Sequence, residues 1–354
     1  MAEGKKRSKA ATAGWLAFAG ISTAVAAGVV AERIFVRRDR NRPDVFANEP
    51  YGEVSARSIG PVASFDGTLL HVEEVGSGPV TLVLAHGFSL GTKLWHHQIK
   101  DLSNDARLVM FDHRGHARSG RPPGDDWSLD ALARDIHSVI ADVGNGPVVL
   151  LGHSMGGMAV LKFAELFPEM LGDRVVGLVL ADTTAADVMG GVLPGAARRV
   201  EALLQGLQEA AMRALAGRAE TVDRLRMTGR PISYLGTRVM GFGPKPSPKQ
   251  VAFVEALLAE TPSDVWLSLL PAMTGFDATH VLETINIPVM IIVGTHDRLT
   301  PPHAAERMAA ALPQAELVVI QDAGHTPMLE RPEEFNDRLR AFMVRARAAS
   351  KLTP

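Results

Sequence analysis

The sequence predicts an α/β fold: a mostly parallel sheet flanked by helices, with a helical cap inserted between two strands. Three observations carry that expectation. Near-continuous apolar runs that end in polar residues, such as "VTLVLAHG" and "ARLVMFDHRG", suit parallel strands buried on both faces. Stretches of helical periodicity separate those runs, the alternation of a strand–helix chain. Between Asp187 and roughly Pro271 the strand pattern stops, and Ala, Leu, Arg and Glu recur at helical spacing, broken by "GFGPKPSP" at 241–248.

From the N-terminus, Ala10 to Ala31 carry no charge over a length close to the roughly 20 apolar residues of a membrane-crossing helix. Trp15 suits an interface. A retained single-span anchor, a cleaved signal ending near Ala24-Val25-Ala26, and a helix lying on a surface compete here. The basic run "ERIFVRRDRNR" just downstream argues against translocation, so a membrane-anchored chain of unspecified orientation is the expectation, with secretion as the alternative. Residues 1–31 are then the basic start and span, 32–55 a polar linker, 56–186 and 272–345 the core, 187–271 the cap, and 346–354 a tail.

In the core, "IGPVASF" and "TLLHVEEV" flank Asp66-Gly67, a hairpin signal. "VTLVLAHG" and "ARLVMFDHRG" follow as central strands. "SLDALARDIHSVIADV" sets Leu129, Leu132, Ala133, Ile136, Val139, Ile140 and Val143 on one helical stripe, with Ser128 as cap. "VVLLGHSMGGMAV", "RVVGLVLAD", "IPVMIIVGTHD" and "AELVVIQDAGH" supply the later strands.

Composition narrows the chemistry. The 354 residues suffice for a large core, and a formal charge of −2 gives no electrostatic reason for a nucleic-acid partner. That balance hides a +6 segment at residues 1–42. No cysteine is present, which excludes disulfides, thiolate metal sites and a cysteine nucleophile without fixing the compartment.

Ligands of an open parallel sheet bind beyond the carboxyl ends of its strands. His86-Gly87-Phe88, Asp112, Ser154, Asp182, Asp297 and His325 stand at six such ends. Gly152-His153-Ser154-Met155-Gly156 fits Gly-x-Ser-x-Gly, a strained strand-to-helix turn, and it lies between an apolar run and the helical "MAVLKFAELF". A side chain at 152 or 156 would clash with the neighbouring strand and helix.

On these residues, 58–345 outside the cap resemble the α/β-hydrolase fold superfamily, with an elbow similar to carboxylesterases and monoacylglycerol lipases. The resemblance implies Ser154 as nucleophile, Asp297 in "GTHDRLTP" as triad acid, His325 in "DAGHTPMLERPEEF" as base, and the N–H groups of Phe88 and Met155 as oxyanion hole. Asp182 stays open as the competing acid, because some hydrolases take theirs at that strand end. "DHRGHARSG" resembles the family turn Asp-x-Arg-Gly-x-Gly-x-Ser, with Ala117 where glycine is common.

His86, Gly87, His153 and Trp95 are candidate pocket residues, with His153 read chiefly as packing and hydrogen bonding. His96-His97 and His113 with His116 lack a carboxylate at ligand spacing, so no metal is expected, and the chemistry needs no cofactor. The expectation is a serine hydrolase of lipophilic or medium-chain acyl esters acting through an acyl-enzyme, with a small-molecule ester and the membrane as its only named partners. Carbon–carbon bond hydrolysis, a cofactor-free haloperoxidase-like activity and a non-catalytic ligand-binding role are the alternatives.

Overall fold

The computed structural model describes residues 33–187 and 230–350. One sheet of eight strands organises them: β1 (Arg57–Ala63), β2 (Leu69–Val75), β3 (Thr81–Ala85), β4 (Arg107–Phe111), β5 (Val148–His153), β6 (Val175–Ala181), β7 (Val289–Gly294) and β8 (Ala315–Ile320). Their spatial order is β1-β2-β4-β3-β5-β6-β7-β8. β1 pairs β2 and β2 pairs β4 antiparallel, and all later neighbours run parallel.

Every residue of β3, β5, β6 and β7 is buried, which is why their sequences read as unbroken apolar runs rather than alternating ones. The helices are α1 (33–40), α2 (His96–Leu102), α3 (Leu129–Asp142), α4 (Met155–Leu166), α5 (Arg230–Gly241), α6 (Pro248–Glu260), α7 (Ser263–Thr274), α8 (Thr279–Leu282), α9 (Pro302–Ala311), α10 (Pro327–Glu330) and α11 (Pro332–Ala349). Two apolar clusters, one on each face of the sheet, form the core, since adjacent residues such as Leu82 and Val83 divide between them.

The α3 stripe is buried at each predicted position, and the Ala131 N–H donates to Ser128 Oγ at 3.1 Å as the helix cap. The chain after β4 is held by a buried fork: Arg114 donates to both oxygens of Asp135 at 2.6 and 2.7 Å and to Asp66 at 2.9 Å. Within the segment expected as a cap, residues 230–241, 248–260 and 263–274 form helices; 188–229 lie outside the described residues.

The expected membrane anchoring is corrected here, and the signal segment behind the alternative of secretion lies outside the described residues. Among the described residues no helix is long and apolar enough to cross a membrane, and the apolar segment at 10–31 lies outside them. The described residues of α1 include Arg33, Arg37, Arg38 and Arg40.

Residues 33–55 also differ from the expected tether. Val36 and Asp39 are buried; Asp39 accepts from Tyr234 Oη at 2.9 Å and from Arg238 Nε at 3.2 Å. Asp44 accepts from Ser247 Oγ at 2.8 Å, and Tyr51 stacks on Phe253 with ring centroids 4.9 Å apart. These contacts lay the segment across α5 and α6. A polar composition does not keep a chain free when its polar groups meet partners on the body.

Candidate active site

Register brings the first two loops together. Ala85 at the end of β3 pairs with Gly152 of β5, so His86-Gly87-Phe88 and His153-Ser154 leave the sheet side by side. A Cβ on Gly87 would lie 2.7 Å from His153 Nδ1 and 3.1 Å from Ser154 Cβ, so glycine is what allows that approach.

Ser154 has φ 53 and ψ −120, a left-handed conformation uncommon for any residue but glycine. The turn holds it there: its N–H donates to Ala181 O at 3.0 Å, and its carbonyl accepts from Gly157 N–H at 2.8 Å and Thr183 Oγ1 at 2.7 Å. A Cβ at 152 would meet Gly156 O at 2.4 Å, and one at 156 would meet Ala85 O at 2.3 Å, both backbone atoms that no rotamer change moves. Ser154 remains partly exposed while α4 begins directly behind it. Neither the Phe88 N–H, in the loop after β3, nor the Met155 N–H, at the first residue of α4, has a protein acceptor among the described residues.

Asp297 and His325 meet across β7 and β8, with His325 Nδ1 donating to Asp297 Oδ2 at 2.9 Å. The same carboxylate accepts from Leu299 N–H at 2.8 Å, Thr300 N–H at 3.0 Å and Thr300 Oγ1 at 2.6 Å. Burial pushes the Asp297 carboxyl up, but the charge of His325 and the hydrogen bonds from His325 and Thr300 outweigh it and hold the group below the usual carboxylate value. His325 also touches the nucleophile turn: the His153 Nε2–H donates to His325 O at 2.8 Å, and the two rings are 4.9 Å apart.

Asp182 makes no hydrogen bond to His325; its Oδ1 accepts the Gly294 N–H at 3.0 Å. Burial first and the Asp297 charge second push its carboxyl well above the usual range.

The buried histidines around the loops are neutral. Burial lowers His86 to about 4, and its tautomer is fixed because Nε2 accepts the His113 N–H at 2.9 Å while Nδ1–H donates to Gly87 O at 2.7 Å. His116 Nε2 accepts the Ser89 N–H at 3.1 Å, just beyond Phe88. Burial, followed by the neighbouring His325, lowers His153 to about 3, so it stays an uncharged donor. Trp95 is fully buried in the core, because the 3₁₀ turn Thr92–Trp95 directs it inward, and it is not a pocket wall. Phe88 instead packs on the cap residue Trp266, with ring centroids 5.6 Å apart.

Glu49, from the N-terminal segment, supplies the carboxylate that His96-His97 lack in sequence; one ligand-type atom of each lies within 4.8 Å of the others. Glu49 already pairs with His96 Nε2 at 2.7 Å and Lys100 Nζ at 2.9 Å, and His97 Nε2 contacts Tyr51 Oη at 3.0 Å. The cluster fastens the segment to α2.

Sequence reasoning missed Thr300, His116 and Glu330. Glu330 accepts the Gly324 N–H beside His325 and the Gly243 N–H of the cap loop, each at 2.7 Å. Thr300 follows its acid by the three residues of a local side-chain turn, a readable signal. An acid among the apolar residues "PMLE" is a weaker one for Glu330, and nothing near His116 announces its acceptor role.

A family model described as alpha/beta hydrolase fold matches residues 80–332. The chain is 29% identical over 272 residues to a pimeloyl-[acyl-carrier protein] methyl ester esterase of Nitrosomonas europaea, covering 75% of this chain and 96% of the relative. To the esterase of that name from Aeromonas salmonicida it is 27% identical over 276 residues, covering 77% and 98%. Among solved structures, a thermophilic esterase from Thermogutta terrifontis superposes with a TM-score of 0.66 at 26% identity, over 82% of this chain and 99% of that one.

Proposed function

Because the chain belongs to the alpha/beta hydrolase fold family, we propose that it is a serine ester hydrolase cleaving lipophilic or medium-chain acyl esters through an acyl-enzyme. Relatives named as esterases support ester hydrolysis at the level of reaction class. The observation that carries the finer reading is the Asp297–His325 hydrogen bond of 2.9 Å, with His325 fastened to the turn that exposes Ser154.

In this reading Ser154 Oγ attacks the ester carbonyl while His325 Nε2 removes its proton. Asp297 fixes the Nδ1–H tautomer and balances the imidazolium. The free Phe88 and Met155 N–H groups receive the tetrahedral oxyanion, each donor contributing about 3 kcal/mol, with the positive end of α4 behind them. His325 then protonates the leaving alcohol, and a water activated by the same base releases the acid. Phe88 and Trp266 supply an aromatic wall that suits an apolar acyl group.

A fluorophosphonate probe and a panel of acyl esters of increasing chain length test this. Labelling and turnover are expected in the wild type, and Ser154→Ala is expected to abolish labelling and reduce kcat by at least about 10³-fold. Ligand binding without labelling or turnover would replace the enzyme by a receptor.

A further inference from the structure

Asp182 stands at the end of β6 with φ 44, a left-handed strain for a residue with a side chain, and no part of the triad chemistry uses it. Its Oδ1 ties β6 to β7 through the Gly294 N–H at 3.0 Å, which accounts for a structural role. Its Oδ2 receives no hydrogen bond, although the residue is fully buried. One oxygen of Asp182, one of Asp297 and one nitrogen of His325 lie within 4.8 Å of one another. An ionised Asp182 would set an unpaired charge against the Asp297 carboxylate in a buried site.

We propose that Asp182 is a neutral carboxylic acid whose Oδ2–H is directed at the Asp297 carboxylate, so that the two form one singly charged unit behind His325. This rests on the triad reading for its catalytic consequence, but not for its protonation state. Asp182 is then a positioning residue: it acts on His325 only through Asp297. The titratable groups that interact with the pair are His325, His153 and Glu330, and the acidic ones, Asp297 and then Glu330, favour the neutral form of Asp182. A donor to Asp297 tempers that carboxylate and so limits how strongly it holds the imidazolium.

Infrared difference spectra of the full chain carrying Glu330→Gln, with and without Asp182→Asn, at neutral pH read the proton directly, because Glu330, whose own carboxyl is raised to about 7 and which faces Asp182, is then absent from both. A protonated-carboxyl C=O band lost with Asp182→Asn is expected, and its absence overturns the proposal. The pH dependence of fluorophosphonate labelling supplies the second readout. Asp182→Asn keeps a neutral donor and leaves the acid limb within about 0.3 pH unit whatever its absolute rate, while Asp182→Ala raises it, a pattern that structural loosening alone would not give. A downward shift of about one unit or more in Asp182→Asn shows that a negative charge was removed and overturns the proposal. Absence of wild-type labelling would sink the ester-hydrolase reading instead, with the infrared band still deciding the state of Asp182.

Discussion

Ala117 adopts φ 41 in the turn after β4, at the position where the resembling family commonly has glycine. Its methyl is exposed, so little packing offsets a left-handed cost of about 1–2 kcal/mol. Ala117→Gly is therefore expected to stabilise the fold by about 0.5–1 kcal/mol after the added chain entropy, seen as a small rise in Tm. A fall would show the turn to be unstrained. The residue types at strand ends were legible because each apolar run announces where it stops. The strain at Ser154 was legible from its flanking glycines. The neutrality of His86, His116 and His153 was not, since it follows from burial by distant elements.

At the scale of elements, the join of β5 to α4 depends on backbone touching backbone. Gly156→Ala would drive its Cβ to 2.3 Å from Ala85 O, and relief requires α4 to retreat from β3. The expected outcome is a loss of about 3 kcal/mol or more together with slower fluorophosphonate labelling, because Ser154 caps that helix. A variant as stable and as reactive as the wild type would mean that α4 is not seated so closely. The strands and α3 were legible from periodicity alone. The packing of residues 33–55 was not: Asp39, Asp44, Glu49 and Tyr51 find partners some 45 to 200 residues away, and no local pattern encodes those.

Over the whole molecule, Glu330 couples cap to core by holding Gly243 and Gly324 at once. Burial raises its carboxyl from 4.5 to about 7, against the pull of those two N–H groups. The folded state thus binds the proton more tightly than the unfolded chain does. The resulting stabilisation is complete below about pH 4.5 and is lost as pH rises through about 7. Glu330→Gln removes this slope, so the stability gap between wild type and variant is expected to shrink across that window by up to about 3 kcal/mol in denaturant melts. A gap independent of pH would refute the assignment.

The sequence by itself determined which segments are buried strands, where a cap-like helical stretch interrupts them, and which serine, acids and histidine stand at the strand ends. These are short-window properties: a period of two or 3.6, an apolar run, a glycine pair. Only the tertiary structure decided that β3 sits between β4 and β5, which sets Gly87 against Ser154. It also decided that Asp297 rather than Asp182 bonds His325. Both acids end strands, and what separates them is the Thr300 turn, which aims one carboxylate at the imidazole while burial leaves the other to Gly294. Contacts of that kind depend on where loops from distant parts of the chain converge, and that is fixed by packing rather than by any local pattern.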